Sequence, residues 1–187
     1  MSGPIRAAVL TVSDRCSRGE TEDTSGPALV AMLRERMAAQ VVDTRCLPDE
    51  ADALAACFAA WGRGGGIDLI LSTGGTGLAP RDVTPEAAAR VIERPHPALM
   101  ELARLRCMAK TPRTFLSRGV AGTVGSALLL TLPGSPRGAT EMLEALLDIL
   151  PHAVETLRGE VQDDGRPGAR AVTGRVVEHR DAGAHEP

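Results

Sequence analysis

Tyrosine is missing from this 187-residue chain, and with two Phe and one Trp the aromatic residues make up only 2 % of it. Its interior must therefore be aliphatic, and almost nothing is left to build the stacking platforms that hold single-stranded nucleic acids. Lysine is scarcer still: Lys110 stands alone, so nearly all the positive charge is arginine. A GC-rich coding sequence would produce that bias without any function. The functional alternative, guanidinium forks on phosphate or carboxylate, is kept for arginines beside glycine-rich loops. The formal net charge of −3 lacks the basic excess of a DNA binder. Nucleic acid is not expected as a partner.

Two further absences narrow the class. Cys16, Cys46, Cys57 and Cys107 include no CxxC pair, which argues against a zinc site or a redox motif. No apolar run approaches the ~20 residues that cross a bilayer, and no helical apolar segment follows a basic start as in a secretory signal. A soluble cytoplasmic protein with no membrane partner is expected. The length suits one domain able to bury a full core.

Four apolar runs read as strands: 5–12, 41–47, 67–71 and 127–132. The first, third and fourth are almost continuously apolar, as in central parallel strands covered on both faces. Helical spacing fills the intervals at 27–39, 50–61, 84–93 and 97–108. A long stripe over 136–157, from Ala139 to Leu157, is interrupted by Pro151, which should kink or split it. This alternation gives an α/β fold with a mostly parallel sheet. Residues 1–159 form the domain. Residues 160–187 turn Gly-rich and charged and read as a mobile tail, with 171–177 as a candidate edge strand.

Ligands of open parallel sheets lie beyond the carboxyl ends of the strands. The first run ends in Ser13-Asp14, the second in Asp49-Glu50, the third in "STGGTGLAPRDVTPEA" and the fourth in "LPGSP". Glycine turns let a ligand approach the backbone and turn successive N–H groups into an anion-binding concavity. Gly74, Gly75 and Gly77 alone read equally well as a tight turn; the similar chemistry at Gly134-Ser135 tips the balance toward an anion. The loop lacks the Gly-Lys-Ser/Thr ending of a P-loop and the G-x-G-x-x-G pattern of a dinucleotide fold. Asp14, Asp49 and Asp82 would repel a phosphate unless a cation lay between, and Mg²⁺ fills that role. Singly, Asp49 and Asp82 read as caps of the helices that follow them; jointly they favour metal-assisted phosphoryl or nucleotidyl transfer. The segment "TFLSRGVAGTVGS" is either a flexible connection or a cover over the site through Ser117, Arg118 and Ser126. The four histidines have no partners at ligand or catalytic spacing.

Taken together, "VSDRCSRGETEDTSGP", "LPDE", "STGGTGLAPRDVTPEA" and "LSRGVAGTVGSALLLTLPGSP" resemble the molybdopterin-binding MoaB/Mog family over 5–159. They are most similar to its MogA-type molybdopterin adenylyltransferases, which are similar to the G domain of gephyrin. The resemblance implies a three-layer α/β/α fold, usually trimeric, acting in molybdenum cofactor biosynthesis. It implies that the terminal phosphate of molybdopterin attacks the α-phosphorus of ATP, giving adenylylated molybdopterin and pyrophosphate. By the same resemblance, Asp49 and Asp82 are the essential aspartates and hold Mg²⁺, with Mn²⁺ an open alternative. Thr73, Gly74, Gly75, Thr76 and Gly77, with Pro133, Gly134 and Ser135, hold the pterin phosphate and the nucleotide. Ser13, Asp14, Ser117, Arg118 and Ser126 line the remainder. A molybdenum insertase is the implied downstream partner; the chain is too short to carry an insertase's own extra domains. A pterin-binding relative without transfer activity and a scaffold module are the competing readings.

Overall fold

The computed structural model describes residues 3–160. In chain order the elements are β1 (Arg6–Val12), a one-turn helix α1 (Asp14–Ser17), α2 (Ser25–Met37), β2 (Gln40–Leu47), α3 (Ala51–Arg63), β3 (Leu69–Thr73) and α4 (Thr84–Ala89). Then follow β4 (Arg94–Pro95), α5 (Pro97–Cys107), a 3₁₀ turn (Pro112–Leu116), β5 (Ala121–Val124), β6 (Ala127–Leu132), α6 (Pro136–Glu144) and α7 (Leu150–Arg158). The six strands form one sheet in the order β2-β1-β3-β6-β5-β4. The first four are parallel, and β5 and β4 add an antiparallel edge.

Alternation along the central strands divides the core into two layers. Ala7 and Val9, Leu69 and Leu71, and Leu128, Leu130 and Leu132 pack with buried residues of α2, α5, α6 and α7. Ala8 and Leu10, Ile70 and Leu129 pack on the other side with Leu54, Phe58 and Trp61 of α3 and Ala87 and Ala88 of α4. This is the expected three-layer α/β/α architecture. From β1 the chain passes through α2 on one face to β2, then through α3 on the opposite face to β3. The direction of winding therefore reverses between β1 and β3, where doubly wound sheets open a crevice at their carboxyl ends.

Two expectations need correction. The stripe over 136–157 is two helices, and the break falls at 145–149, before Pro151 rather than at it. The proline ring would collide with the carbonyl four residues upstream, so the chain leaves the helix in advance and Pro151 enters the first turn of α7. The segment 121–124 is neither loop nor cover but β5, paired with β6 through a tight turn at Gly125. The readings for 161–187 lie outside the described residues.

An ion pair fastens α7 to the residue that precedes β3. Arg158 donates to both oxygens of Asp68 (Nε–Oδ1 3.0 Å, Nη2–Oδ2 2.6 Å) and to the carbonyls of Gly3 and Pro4. Both side chains are about one-sixth exposed, at 17 and 16 %. Burial would raise the Asp68 pKa, but the Arg158 hydrogen bonds, the Arg6 N–H and their charges outweigh it and hold it below the usual value. A lowered folded-state pKa gives stability that is present above the unfolded value of about 4 and lost as pH falls through the folded one. Arg158→Ala should thus cost about 2–4 kcal/mol at pH 7, with the gap from wild type closing below about pH 4 in denaturant titrations. The opposite effect is expected at Ser72, fully buried in β3 with a hydroxyl that has no partner among the described residues. Ser72→Ala should stabilise by about 1 kcal/mol, read as a higher urea midpoint at unchanged slope.

Candidate active site

The carboxyl ends of β1 and β2 are cross-linked by two aspartates. Ser13 bonds the Leu47 carbonyl through its N–H (2.9 Å), and its hydroxyl caps α1 at Cys16 N (3.2 Å). Asp14 N–H donates to Asp49 Oδ2, and Asp49 N–H donates back to Asp14 Oδ1, both at 3.2 Å. From the loop after β3, Arg81 reaches Asp14 and Glu50. Its hydrogen bonds, the largest cause, hold the Asp14 carboxyl below the ordinary range. Asp49 moves the other way, raised chiefly by burial and further by the charges of Asp14 and Asp82, although the Asp14 N–H opposes this.

The glycine loop is built so that these carboxylates can lie on it. Gly74 and Gly75 have φ of +105° and +61°. Thr84 fixes the turn by donating its hydroxyl to the Gly74 carbonyl (2.9 Å) and its N–H to the Gly75 carbonyl (3.0 Å). A Cβ on Gly75 would lie 2.8 Å from Asp49 Oδ1, and one on Gly77 would lie 2.7 Å from Asp82 Oδ2. Asp82 also accepts the Ala79 N–H at 2.9 Å. Neither aspartate caps the helix that follows it: Glu50 and Val83 hold the capping positions of α3 and α4, and neither uses its side chain. Among the described residues, the N–H groups of Gly75, Thr76 and Gly77 have no acceptor in the protein.

Two clefts open along this edge and share Gly134. The first, about 290 Å³, is lined by Ser13, Asp49, Gly74, Gly75 and Asp82, together with Cys16, Asp23 and Ser25. The second, about 600 Å³, is lined by Thr76, Gly77, Ser117, Pro133 and Ser135, with Lys110, Arg113 and Arg137 supplying positive charge. One cleft is thus acidic and the other basic, with the glycine loop forming the partition.

Several expected residues stand elsewhere. Thr73 is buried behind the loop and donates to the Pro133 carbonyl at 2.6 Å, tying the ends of β3 and β6. Arg118 lines neither cleft; it donates to the carbonyls of Gly77 (2.7 Å) and Asp82 and pairs with Glu86. Ser126 is a correction: it precedes β6, at the amino edge of the parallel sheet, where its N–H bonds the Gly62 carbonyl. Because β5 and β6 are antiparallel, their shared turn must lie at the far end from the site.

Conversely, Asp23, Lys110, Arg113 and Arg137 were not anticipated, and Arg81, expected at this edge beside Asp82, had been given no role. Asp23 takes the Thr11 hydroxyl (2.6 Å) and the N–H groups of Ser25 and Gly26, organising the start of α2. The signals were present: an acid just ahead of "TSGP", an arginine beside Asp82, and the single lysine of the chain.

Asp49 and Asp82 suit a divalent cation that arrives with phosphate. Among the described residues no group of three or more His, Cys, Asp or Glu side chains is placed to hold a metal. A pair of carboxylates is nevertheless what Mg²⁺ takes from protein when phosphate oxygens and water complete its shell. Burial is the main reason the Asp49 pKa is raised, and the charges of Asp14 and Asp82 add to it; a bound cation would offset both.

The fold and its edge define a class: an α/β protein of doubly wound type with a glycine loop of unpartnered N–H groups flanked by carboxylates. Within that class the chain belongs to the family described as "Probable molybdopterin binding domain", whose model matches residues 8–152. It is 35 % identical over 156 residues to the molybdopterin adenylyltransferase of Helicobacter pylori (strain J99), covering 83 % of this chain and 89 % of that protein. It is 39 % identical over 157 residues to the molybdenum cofactor synthesis protein cinnamon of Drosophila melanogaster; that match covers 84 % of this chain but spans only 26 % of the relative. Among solved structures, the molybdopterin biosynthesis enzyme MoaB of Thermus thermophilus superposes with a TM-score of 0.78 at 47 % identity, covering 83 % of this chain and 97 % of that one.

Proposed function

We propose that this protein is a molybdopterin adenylyltransferase, joining AMP from ATP to the terminal phosphate of molybdopterin with release of pyrophosphate. The observation that carries the reading is the set of unpartnered N–H groups at Gly75, Thr76 and Gly77, flanked by Asp49 and Asp82, on an edge shared by an acidic and a basic cleft. The H. pylori adenylyltransferase, matched over most of both chains, lends the reaction its name.

The nucleophile in this reaction is already a phosphate oxygen, so no activated serine or cysteine is required. A new P–O bond forms at the α-phosphorus, and the bond to the bridging oxygen of the β-phosphate breaks with its electron pair leaving on pyrophosphate. The chain's part is to align two anions and neutralise them. The loop N–H groups donate to phosphate oxygens, and Lys110, Arg113 and Arg137 offset charge in the basic cleft. Asp49 and Asp82 would hold Mg²⁺, which supplies charge neutralisation at the phosphates. The Thr73 and Arg118 contacts keep the loop from moving while the phosphates shift. The site is proposed to work in a homotrimer in the cytoplasm and to pass its product to a molybdenum insertase.

The family's description as a probable molybdopterin binding domain, which names binding and no transfer, favours a second reading, pterin binding without transfer. Pyrophosphate release separates the two. It should require molybdopterin, ATP and Mg²⁺ together, and binding of the pterin with no pyrophosphate formed would move the protein to the second reading.

A further inference from the structure

Arg81, bound to Asp14 and Glu50 beside the acidic cleft, is a charge that adenylyl transfer leaves without a task. Its side chain is 59 % exposed. All its side-chain hydrogen bonds among the described residues go to carboxylates: Nε to Asp14 Oδ2 (3.1 Å), Nη2 to both Asp14 oxygens (2.9 Å each) and Nη2 to Glu50 Oε1 (3.1 Å). Asp14 is in turn locked to Asp49 by the reciprocal 3.2 Å pair. Arg81 therefore sits on the carboxylate next to the one assigned to the metal. Arg118, on the other side of the same loop, makes a useful contrast. It grips two backbone carbonyls and holds the loop together, whereas among the described residues the Arg81 side chain binds no backbone atom and can leave without opening the loop.

We propose that Arg81 is a resident counter-ion, a positioning residue that keeps a bare divalent cation out of the acidic cleft so that the metal enters together with its nucleotide. The inference rests on the assignment of Asp49 and Asp82 to the metal. Asp14 and Glu50, beside the Glu22, Asp23, Asp49 and Asp82 that line the cleft, would if left unbalanced draw divalent cations from solution. With a guanidinium on Asp14 and Glu50, the local charge falls and both of these carboxylates are occupied. A metal on the phosphates of ATP brings its own negative charge, to which the exposed guanidinium can turn from Asp14. Exchange of one anionic partner for another then couples metal and nucleotide binding without a preformed protein cage.

The test uses Mn²⁺ as the probe, with free ion counted by electron paramagnetic resonance on the full chain, with and without ATP. Without ATP, Arg81→Ala should bind Mn²⁺ about ten-fold more tightly than wild type, the size expected for removing one cation a few ångströms from a divalent site. Asp14→Asn added to Arg81→Ala should reverse the gain, and Arg81→Lys, which keeps the charge, should stay near wild type. Unchanged or weaker Mn²⁺ binding by a folded Arg81→Ala protein would overturn the counter-ion role. The metal assignment is tested separately by Mn²⁺ binding in the presence of ATP. If Asp82→Asn leaves that binding intact, the assignment falls and takes the proposal with it. If Asp82→Asn abolishes it but Arg81→Ala gains nothing without ATP, only the proposal falls.

Discussion

Asp82→Asn is expected to lower adenylyl transfer roughly 10³-fold while leaving the fold and pterin binding intact. The choice of asparagine matters. Asp82 accepts the Ala79 N–H at 2.9 Å, and an amide oxygen in the same place still accepts it, so the loop keeps its shape. What is lost is the negative charge over Gly77. Alanine would remove the acceptor as well and leave the Ala79 N–H to water, mixing a loosened loop with the chemical loss. A thermal midpoint within about 2 °C of wild type, together with unchanged pterin affinity, would assign the whole effect to charge. Retained turnover in Asp82→Asn would remove this carboxylate from the chemistry.

Gly74→Ala should have the largest effect on stability. At φ +105° an L-residue is strained, and the new Cβ would collide with the carbonyl oxygen of Val12, a backbone atom of β1 that cannot turn aside. The same glycine donates its N–H to the Leu132 carbonyl (3.2 Å) and accepts the Thr84 hydroxyl, so the ends of β1, β3 and β6 meet on it. A loss of about 3 kcal/mol or more is expected, or roughly 6–12 °C in midpoint for a chain of this size. Gly65 is the natural control. Its φ is +74°, but nothing lies within 4 Å of its missing Cβ, so Gly65→Ala should cost only the conformational strain, about 1–2 kcal/mol. Similar losses at the two positions would mean that close packing at Gly74 is not what excludes a side chain there.

Much of this arrangement was legible in the residues because central parallel strands announce themselves. Uninterrupted apolar runs must be covered on both faces, and their polar followers then fall on one edge. That reasoning brought Ser13, Asp14, Asp49, Asp82, the glycine loop and Gly134 to the same side of the sheet. It failed where pairing rather than composition decides. Arg94–Pro95 and Ala121–Val124 are too short to show alternation, and they become strands only because the exposed edge of β6 accepts them. Without β5 in view, Ser126 reads as a neighbour of Ser117, although an antiparallel turn carries it to the opposite edge. Arg118 and Arg81 look alike in sequence. Which one grips backbone and which one faces only carboxylates depends on contacts spanning 31 to 67 positions, which local pattern does not encode. The capping reading of Asp49 and Asp82 was reasonable from spacing, but Asp49 accepts the distant Asp14 N–H and Asp82 the Ala79 N–H of its own loop.

The most direct test of the central claim follows the label of ATP. Purified protein would be given molybdopterin and Mg²⁺ with ATP labelled at either the α- or the γ-phosphorus, and the pterin product separated and counted. Adenylyl transfer predicts that the α-label travels with the pterin and the γ-label leaves as pyrophosphate, with both signals lost in Asp49→Asn and Asp82→Asn. A γ-label on the pterin would mean phosphoryl transfer instead. Bound pterin carrying neither label would contradict the account and leave a binding protein whose two aspartates serve only the loops they hold.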